Sequence, residues 1–372
     1  MAAGVDNSFT LEDFKRGFSI QVVSLGALRC SLGGCALRCC VTPADADPPR
    51  GCLCPAEQGT LKFEMQGCSP AVANALRRIL LAEVPTVAIE HVFVVNNTSV
   101  IYDEVLSHRL GLVPLNVDPR LFEFRGPGEP GSESNTAVFR LKVKCRRPAP
   151  GEGPGSKMVV TSDQLEWLPH GSELPEDGEE KLLRFGRSQS EVLSTPACAV
   201  DADIVLAKLA PGQEIELEAH AVKGLGKTHA KWSPVGTAWY DLCPEVVLLQ
   251  RIAGPDAVAF LEESHPAGWD AQRPGTGVRF HGRAGGVTPP CFVIDPATEE
   301  LVVANPRGCW FCLEKLRHMS GEPRWAGRVQ VRRVKQHYLF TIESVGQLAP
   351  EELFTEAVKV LRDKCTRLMQ QL

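Results

Sequence analysis

Residues 74–114 read NALRRILLAEVPTVAIEHVFVVNNTSVIYDEVLSHRLGLVP, and this stretch decides the fold. It predicts a short helix, a stop at Pro85, a β-branched strand over Val87–Val95 and a second helix from Asp103. Just upstream, Ser69 can cap the first helix. Pro70 fits its first position, where a missing N–H costs no intrahelical bond. Val72, Leu76, Ile79 and Leu80 fall on one side of that helix together with Glu83, which makes an apolar stripe. Ala71, Ala73 and Ala75 are small enough to admit another backbone. The second helix, DEVLSHRL, takes Asp103 as its start signal and Gly111, with Pro114 behind it, as its stop.

Working outward, the last element is equally plain. Residues 350–372 read PEELFTEAVKVLRDKCTRLMQQL, with Pro350 in the first turn. Glu351 and Glu352 come early and Arg362, Lys364 and Arg367 late, as the helix dipole favours. Leu353, Ala357, Val360, Leu361 and Leu368 form its stripe, widened by Phe354, Val358 and Met369. At about 1.5 Å per residue the helix runs roughly 30 Å. Either stripe can face its own core or complete the core of a partner, and the residues alone leave both readings open. The same holds for Arg77 and Arg78. They point about 100° apart around a helix, so they form a solvated face or put one guanidinium onto carboxylates or carbonyls of another chain.

At 372 residues the chain exceeds what one core usually supports. A formal net charge of −5 excludes a polycation that grips nucleic acid over a long footprint. The start is polar and acidic, and the apolar run Ile20–Val41 is broken by Arg29, Arg38 and glycines, so neither a signal peptide nor a membrane span is expected. The 14 cysteines are expected as thiols or metal ligands rather than disulfides. Strands are expected at 18–24, 60–66, across most of 137–222, and at 329–344 with Tyr338, Phe340 and Ile342 on one face. Three stretches, 25–59, 181–200 and 265–290, carry Gly, Pro, Arg or Cys without period and are expected as loops or disorder.

Several places imitate chemistry. Ala221–Thr228, AVKGLGKT, lacks the first glycine of a phosphate-binding loop, and Pro234 prevents a long helix after it. Cys309 and Cys312 form one lone C-x-x-C, whereas a structural zinc site wants four ligands. Cys30, Cys35, Cys39, Cys40, Cys52 and Cys54 are numerous enough for zinc but show no tight pair of knuckles. No H-E-x-x-H or G-x-S-x-G occurs. The basic run Arg324–Lys335 is expected on a strand as a solvated face. No catalytic residue, metal site or cofactor is therefore expected. The competing reading is a zinc-dependent nucleic-acid-binding factor built on the N-terminal cysteines and that basic strand.

The spaced pattern Asn74-x-Leu76-Arg77-Arg78, Ala88, Val92, Asn97, Ser99, Asp103-Glu104 and Arg109 to Pro114 resembles the signature of the α-like subunits of eukaryotic and archaeal RNA polymerases. Lys223–Val235, KGLGKTHAKWSPV, looks like that family's second landmark, and YLFTIESVGQLAPEELFTEAVKVL like its C-terminal strand and helix. Within the family the likeness is to the subunit shared by polymerases I and III, through LAEVPTVAIE, VNNTSVIYDE and DPRLFEF. The polymerase II counterpart carries a four-cysteine zinc cluster where Leu115–Pro150 holds only Cys145.

The resemblance implies an α+β fold. A discontinuous dimerisation domain, 9–96 and 229–372, would pack helices on a sheet, with a mainly β domain, 97–228, inserted. It implies a non-catalytic assembly subunit that pairs with a small α-like subunit and docks the second-largest subunit among the other polymerase I and III subunits. DNA would be met only through the complex, in the nucleus including the nucleolus, with no membrane contact. Carried across, Val72, Leu76, Ile79, Leu80, Leu353, Ala357, Val360, Leu361 and Leu368 would form the paired interface, and Arg77 and Arg78 would hold the large subunit. Asn74, Asn97, Asp103, Glu104, Arg109, Gly111 and Pro114 are the signature positions. The three irregular stretches have no recognised counterpart; they are lineage-specific loops or, for the first, retained intron sequence.

Overall fold

The computed structural model describes residues 19–25, 59–146, 157–173, 185–193, 195–264, 291–306 and 310–371. Along the chain run β1 (Ser19–Leu25), β2 (Thr60–Gln66), α1 (Pro70–Ala82), β3 (Pro85–Asn97) and α2 (Asp103–Gly111). Then come β4 (Thr136–Lys144), β5 (Met158–Thr161), β6 (Glu166–Trp167), β7 (Val205–Leu209), β8 (Glu214–Leu225) and β9 (Val235–Leu248). The rest are α3 (Pro255–Ser264), β10 (Phe292–Ile294), β11 (Leu301–Val303), α4 (Trp310–Met319), β12 (Val329–Ser344) and α5 (Pro350–Gln371). This is the α+β class that the sequence predicts.

Among the described residues two compact units are distinguished: those within Met1–Gln58, Lys62–Pro70 and Tyr240–Phe340 make one, and those within Gly59–Leu61, Ala71–Trp239 and Thr341–Leu372 the other. That division groups β3 with the segment 97–228. The cause is the ladder: β3 pairs antiparallel with β8 from Pro85↔Leu225 to Asn97↔Ile215.

In the second unit the strand order is β3-β8-β4-β6, with β8 hydrogen-bonded on both sides. One face of this sheet buries Ile89, Leu141 and Leu217 with Leu106 and Leu110 of α2. Such side chains, fully out of water, each contribute about 1.5–3 kcal/mol. In the first unit Phe260 of α3 packs edge-on against Phe292 and Trp325, with ring centroids 5.1 Å apart in both pairs. Phe63 stacks on Phe340 at 5.2 Å, which fixes the inward face of β12 that the alternation predicts.

Four expectations are corrected or refined. Asp103 is the first helical residue of α2, with Tyr102 at the cap and no side-chain cap bond. Gly111 is the last helical residue, with Leu112 at the C-cap, and a Cβ there would meet the Ile89 carbonyl at 3.4 Å. The described part of 181–200 is loop, as the sequence reads, but it is anchored at a buried residue. Gln189 is buried, donates to the carbonyls of Glu133 (2.9 Å) and Thr136 (2.7 Å), and accepts from Trp167 Nε1 (3.2 Å). One amide thus satisfies three polar groups without any periodic pattern to announce it. Arg324 and Arg328 precede β12 and pair with Asp256, each with one oxygen, while Arg324 also reaches Glu263. Of the basic run, only Arg332, Arg333 and Lys335 lie exposed on the strand. The stretches 26–58 and 265–290, with Cys30–Cys54, and Cys309 lie outside the described residues.

A buried acid sits on the opposite face of the same sheet. Glu218, next to His220 Nε2 at 2.8 Å, also accepts from the Glu173 amide at 3.1 Å. Burial pushes its carboxyl up, but the bonds from His220, Ser172 and Glu173 outweigh that and hold it below the ordinary value. A carboxylate depressed in the fold stabilises above its unfolded value, about 4.3, and the gain is lost as pH falls through the folded value. The stability gap between the native chain and Glu218→Gln, measured by thermal denaturation, is therefore expected to shrink as pH drops from about 5 to 3. A gap that stays constant over that window contradicts the assignment.

Candidate partner-binding surface

The two helices singled out from sequence divide into inner and outer faces. In α1, Leu76, Ile79, Leu80 and Ala73 are buried, while Val72 is half-buried. In α5, Leu353 and Ala357 are buried at 0% exposure, Val360 and Leu361 are half-buried, and Leu368 is 61% exposed. Five of the nine apolar residues expected at an interface are thus enclosed by this chain itself. An amphipathic helix turns its apolar stripe toward a core, and for these five residues that core lies within the chain.

What remains is the outer half of α5. Val358, Leu368 and Met369 are exposed there, as is Cys365. Val358 at 43% and Met369 at 68%, which widen the stripe, are more exposed than its members Leu353, Ala357, Val360 and Leu361, though Leu368 at 61% exceeds Val358. The helix is tied down at this point by Lys364, whose ammonium bridges both oxygens of Glu83 at 2.7 Å, just past the end of α1. Farther back, Arg120 reaches Glu352 at 3.6 Å. Beyond these ties the last turns present apolar side chains to water.

The double arginine also divides. Arg77 donates through Nε (3.1 Å) and a terminal nitrogen (2.9 Å) to Asn74 Oδ1, one turn earlier. Arg78 is exposed and makes no hydrogen bond or ion pair among the described residues.

Most signature positions hold the backbone in place. Asn97 Oδ1 accepts from the Ser99 amide at 3.0 Å, and its Nδ2 donates to the Ile101 carbonyl (2.9 Å) and to Asp103 (2.7 Å). That closes the turn between β3 and α2. Glu104 is exposed. Arg109 caps the carbonyls of Val205 and Leu206 on β7, and the Pro114 carbonyl accepts from Val200 at 2.9 Å. These contacts explain why such residue types are needed at such spacings without any ligand.

The second landmark works in the same way. Trp232 is buried and donates Nε1 to the Val222 carbonyl at 3.1 Å, while Thr86 Oγ1 donates to the Trp232 carbonyl at 2.7 Å. Gly224 lies flat under the indole, and Gly226 lies against the last turn of α1, where the Lys227 amide donates to Ala82 at 2.8 Å. The two glycines that imitate a phosphate loop serve close packing. Cys145 is buried in the core of the second unit, and Cys68 in the first has its thiol pushed up to about 11 by burial. Among the described residues no three His, Cys, Asp or Glu side chains come together to hold a metal. No described helix is long and apolar enough to cross a membrane.

An α+β chain with an incompletely buried C-terminal helix and this packed double landmark belongs to a defined class. The model of the RNA polymerase Rpb3/Rpb11 dimerisation domain matches residues 62–365, and the chain belongs to that family. Its relatives narrow the placement. It is 38% identical over 318 residues to a human protein named DNA-directed RNA polymerases I and III subunit RPAC1, covering 85% of this chain and 82% of that one. It is 34% identical over 370 residues to the protein of that name in Saccharomyces cerevisiae, covering 98% and 90%. A Dictyostelium discoideum protein named DNA-directed RNA polymerase II subunit rpb3 is 29% identical over 317 residues, covering 83% and 90%.

Proposed function

We propose that this chain is a non-catalytic assembly subunit of DNA-directed RNA polymerases I and III. The observation that carries the reading is the apolar, water-exposed outer half of α5 within a family defined by dimerisation. Obligate interfaces resemble a core cut in half, and a helix that ends bare of cover is such a half. The partner is a small α-like subunit, which covers Val72, Val360, Leu361 and Leu368 together with Val358 and Met369. Arg78, with no counter-charge among the described residues, faces the second-largest subunit, with Arg77 set beside it by Asn74. Leu76, Ile79, Leu80, Leu353 and Ala357 support this surface from beneath. The domain scheme of 9–96 with 229–372, and 97–228 inserted, belongs to the same proposal.

The subunit acts in the nucleus, including the nucleolus, in synthesis of ribosomal RNA precursors and small RNAs. It meets DNA only through the complex and needs no cofactor of its own. Purifying the tagged full chain and weighing its companions tests this. Subunits of both polymerases I and III are expected. Companions from polymerase II alone, or a chain that purifies as a monomer, would overturn it.

A further inference from the structure

The four-stranded sheet of the second unit ends on β3, and the two halves of that edge differ. Over the first half, side chains cover the outward carbonyls: Gln347 Nε2 donates to Val87 at 2.8 Å and Lys231 Nζ to Ile89 at 2.9 Å. Past the register shift between Ile89 and His91, no described residue hydrogen-bonds to the outer edge. An antiparallel strand turns the N–H and C=O of alternate residues away from its neighbour. His91–Asn97 therefore carries an open row of donors and acceptors.

Bare edges are templates for another strand, and proteins usually guard them with lysine or proline. This one, HVFVVNN, has neither. Of its three exposed side chains two are apolar, Phe93 at 40% and Val95 at 55%, and the other is His91. The Phe93 ring is backed by His220, with centroids 4.7 Å apart, so it is a supported platform rather than a loose side chain.

Each end of the open edge has its own chemistry. At the far end Asn97 holds Asp103 at 2.7 Å, and Asp103 and Glu104 are exposed without a cation partner among the described residues. At the near end a cavity of about 190 Å³ lies beside Glu90, lined also by Ser107, His108, His229 and Lys231. That is room for one side chain, since a cavity of about 150 Å³ holds benzene.

We propose that the His91–Asn97 edge of β3 accepts an extended segment of another polypeptide of the assembly, added as a further strand. The segment carries apolar residues at alternate positions over Phe93 and Val95 and a basic residue toward Asp103 and Glu104. A second copy of this chain does not fit. Residues 90–104 contain no lysine or arginine, so self-pairing offers those carboxylates no counter-charge. The inference goes beyond the pairing helix but rests on the chain working within an assembly.

The test measures hydrogen exchange at His91–Asn97 in the full chain, free and in the purified assembly. Exchange at least tenfold slower in the assembly is expected. The double variant Phe93→Lys, Val95→Lys should restore the free rate while companions held through α5 stay bound and the free chain keeps its melting temperature. Equal rates in the two states would overturn the proposal and leave the polymerase reading standing. A chain with no companions at all overturns both. A photo-crosslinker at Val95 identifies the occupant. A peptide from a different chain with alternating apolar residues is expected; a crosslink to a second copy, or none, overturns the assignment.

Discussion

Leu368→Asp is expected to abolish co-purification of the small α-like partner while the isolated chain keeps its melting temperature within about 1–2 °C. The side chain is 61% exposed in the chain alone, so the substitution removes little that the fold uses. In the paired state it would place a carboxylate in an apolar seam with no partner, which costs about 3–5 kcal/mol. That corresponds to a loss of affinity on the order of a few hundredfold or more. Leu361→Asp, half-buried one turn beyond Ala357, should give the same loss with a modest drop in stability. Leu76→Asp provides the contrast. At 3% exposure that leucine lies inside the chain, so its replacement should unfold the protein rather than only strip it of its partner. Should Leu368→Asp retain its companion, the pairing surface lies elsewhere on the molecule.

The contrast between Leu368 and Leu76 also marks how far the sequence could be read. Periodicity finds an amphipathic stripe and cannot say what covers it, because a residue facing the chain's own sheet and one facing a partner obey the same 3.6-residue repeat. Helices α1 and α5 were legible from their apolar stripes, and strands β2, β3, β8 and β12 from their alternating or β-branched and aromatic residues. The first unit between β9 and β12 was not. Helix α3 has ten residues and β10 and β11 three each, too short for a period to emerge above its surroundings. Its core is set by Phe260, Phe292 and Trp325 meeting across about 65 residues of chain, which no local window contains. Exposure along the β3 edge was equally hidden. A run such as HVFVVNN looks the same whether its strand is central or at the margin, and only the strand order decides. The signature positions were legible as a pattern, but their work as turn and backbone supports needed the hydrogen bonds themselves.

Gly226→Ala should cause a larger loss of stability than any surface substitution, although the residue stands in a turn. An added Cβ would sit on the Leu81 carbonyl oxygen, closer than real Cβ contacts come, with the Ala82 Cα at 3.1 Å behind it. The obstacle is backbone at the last turn of α1, not a side chain that can swing away. Relief requires moving the turn, and that breaks the bond from the Lys227 amide to Ala82 at 2.8 Å. Overpacking of this kind costs about 1–3 kcal/mol, and the lost hydrogen bond about 1 kcal/mol more. For a chain of 372 residues, unfolding with an entropy of about 2 cal/mol/K per residue, a total near 3 kcal/mol lowers the melting temperature by roughly 4 °C. The displacement also reaches Glu83, one residue past Ala82, whose carboxylate anchors Lys364 of α5. Faster amide exchange should therefore appear at the end of α1 and in the middle of α5 together. Gly236→Ala is the control: its Cβ would meet nothing nearer than the Glu343 carbonyl at 3.9 Å, and a change within about 0.5 kcal/mol is expected. Equal melting temperatures for the two variants would mean that the turn at Gly226 yields freely, and that the second landmark does not brace the pairing helices.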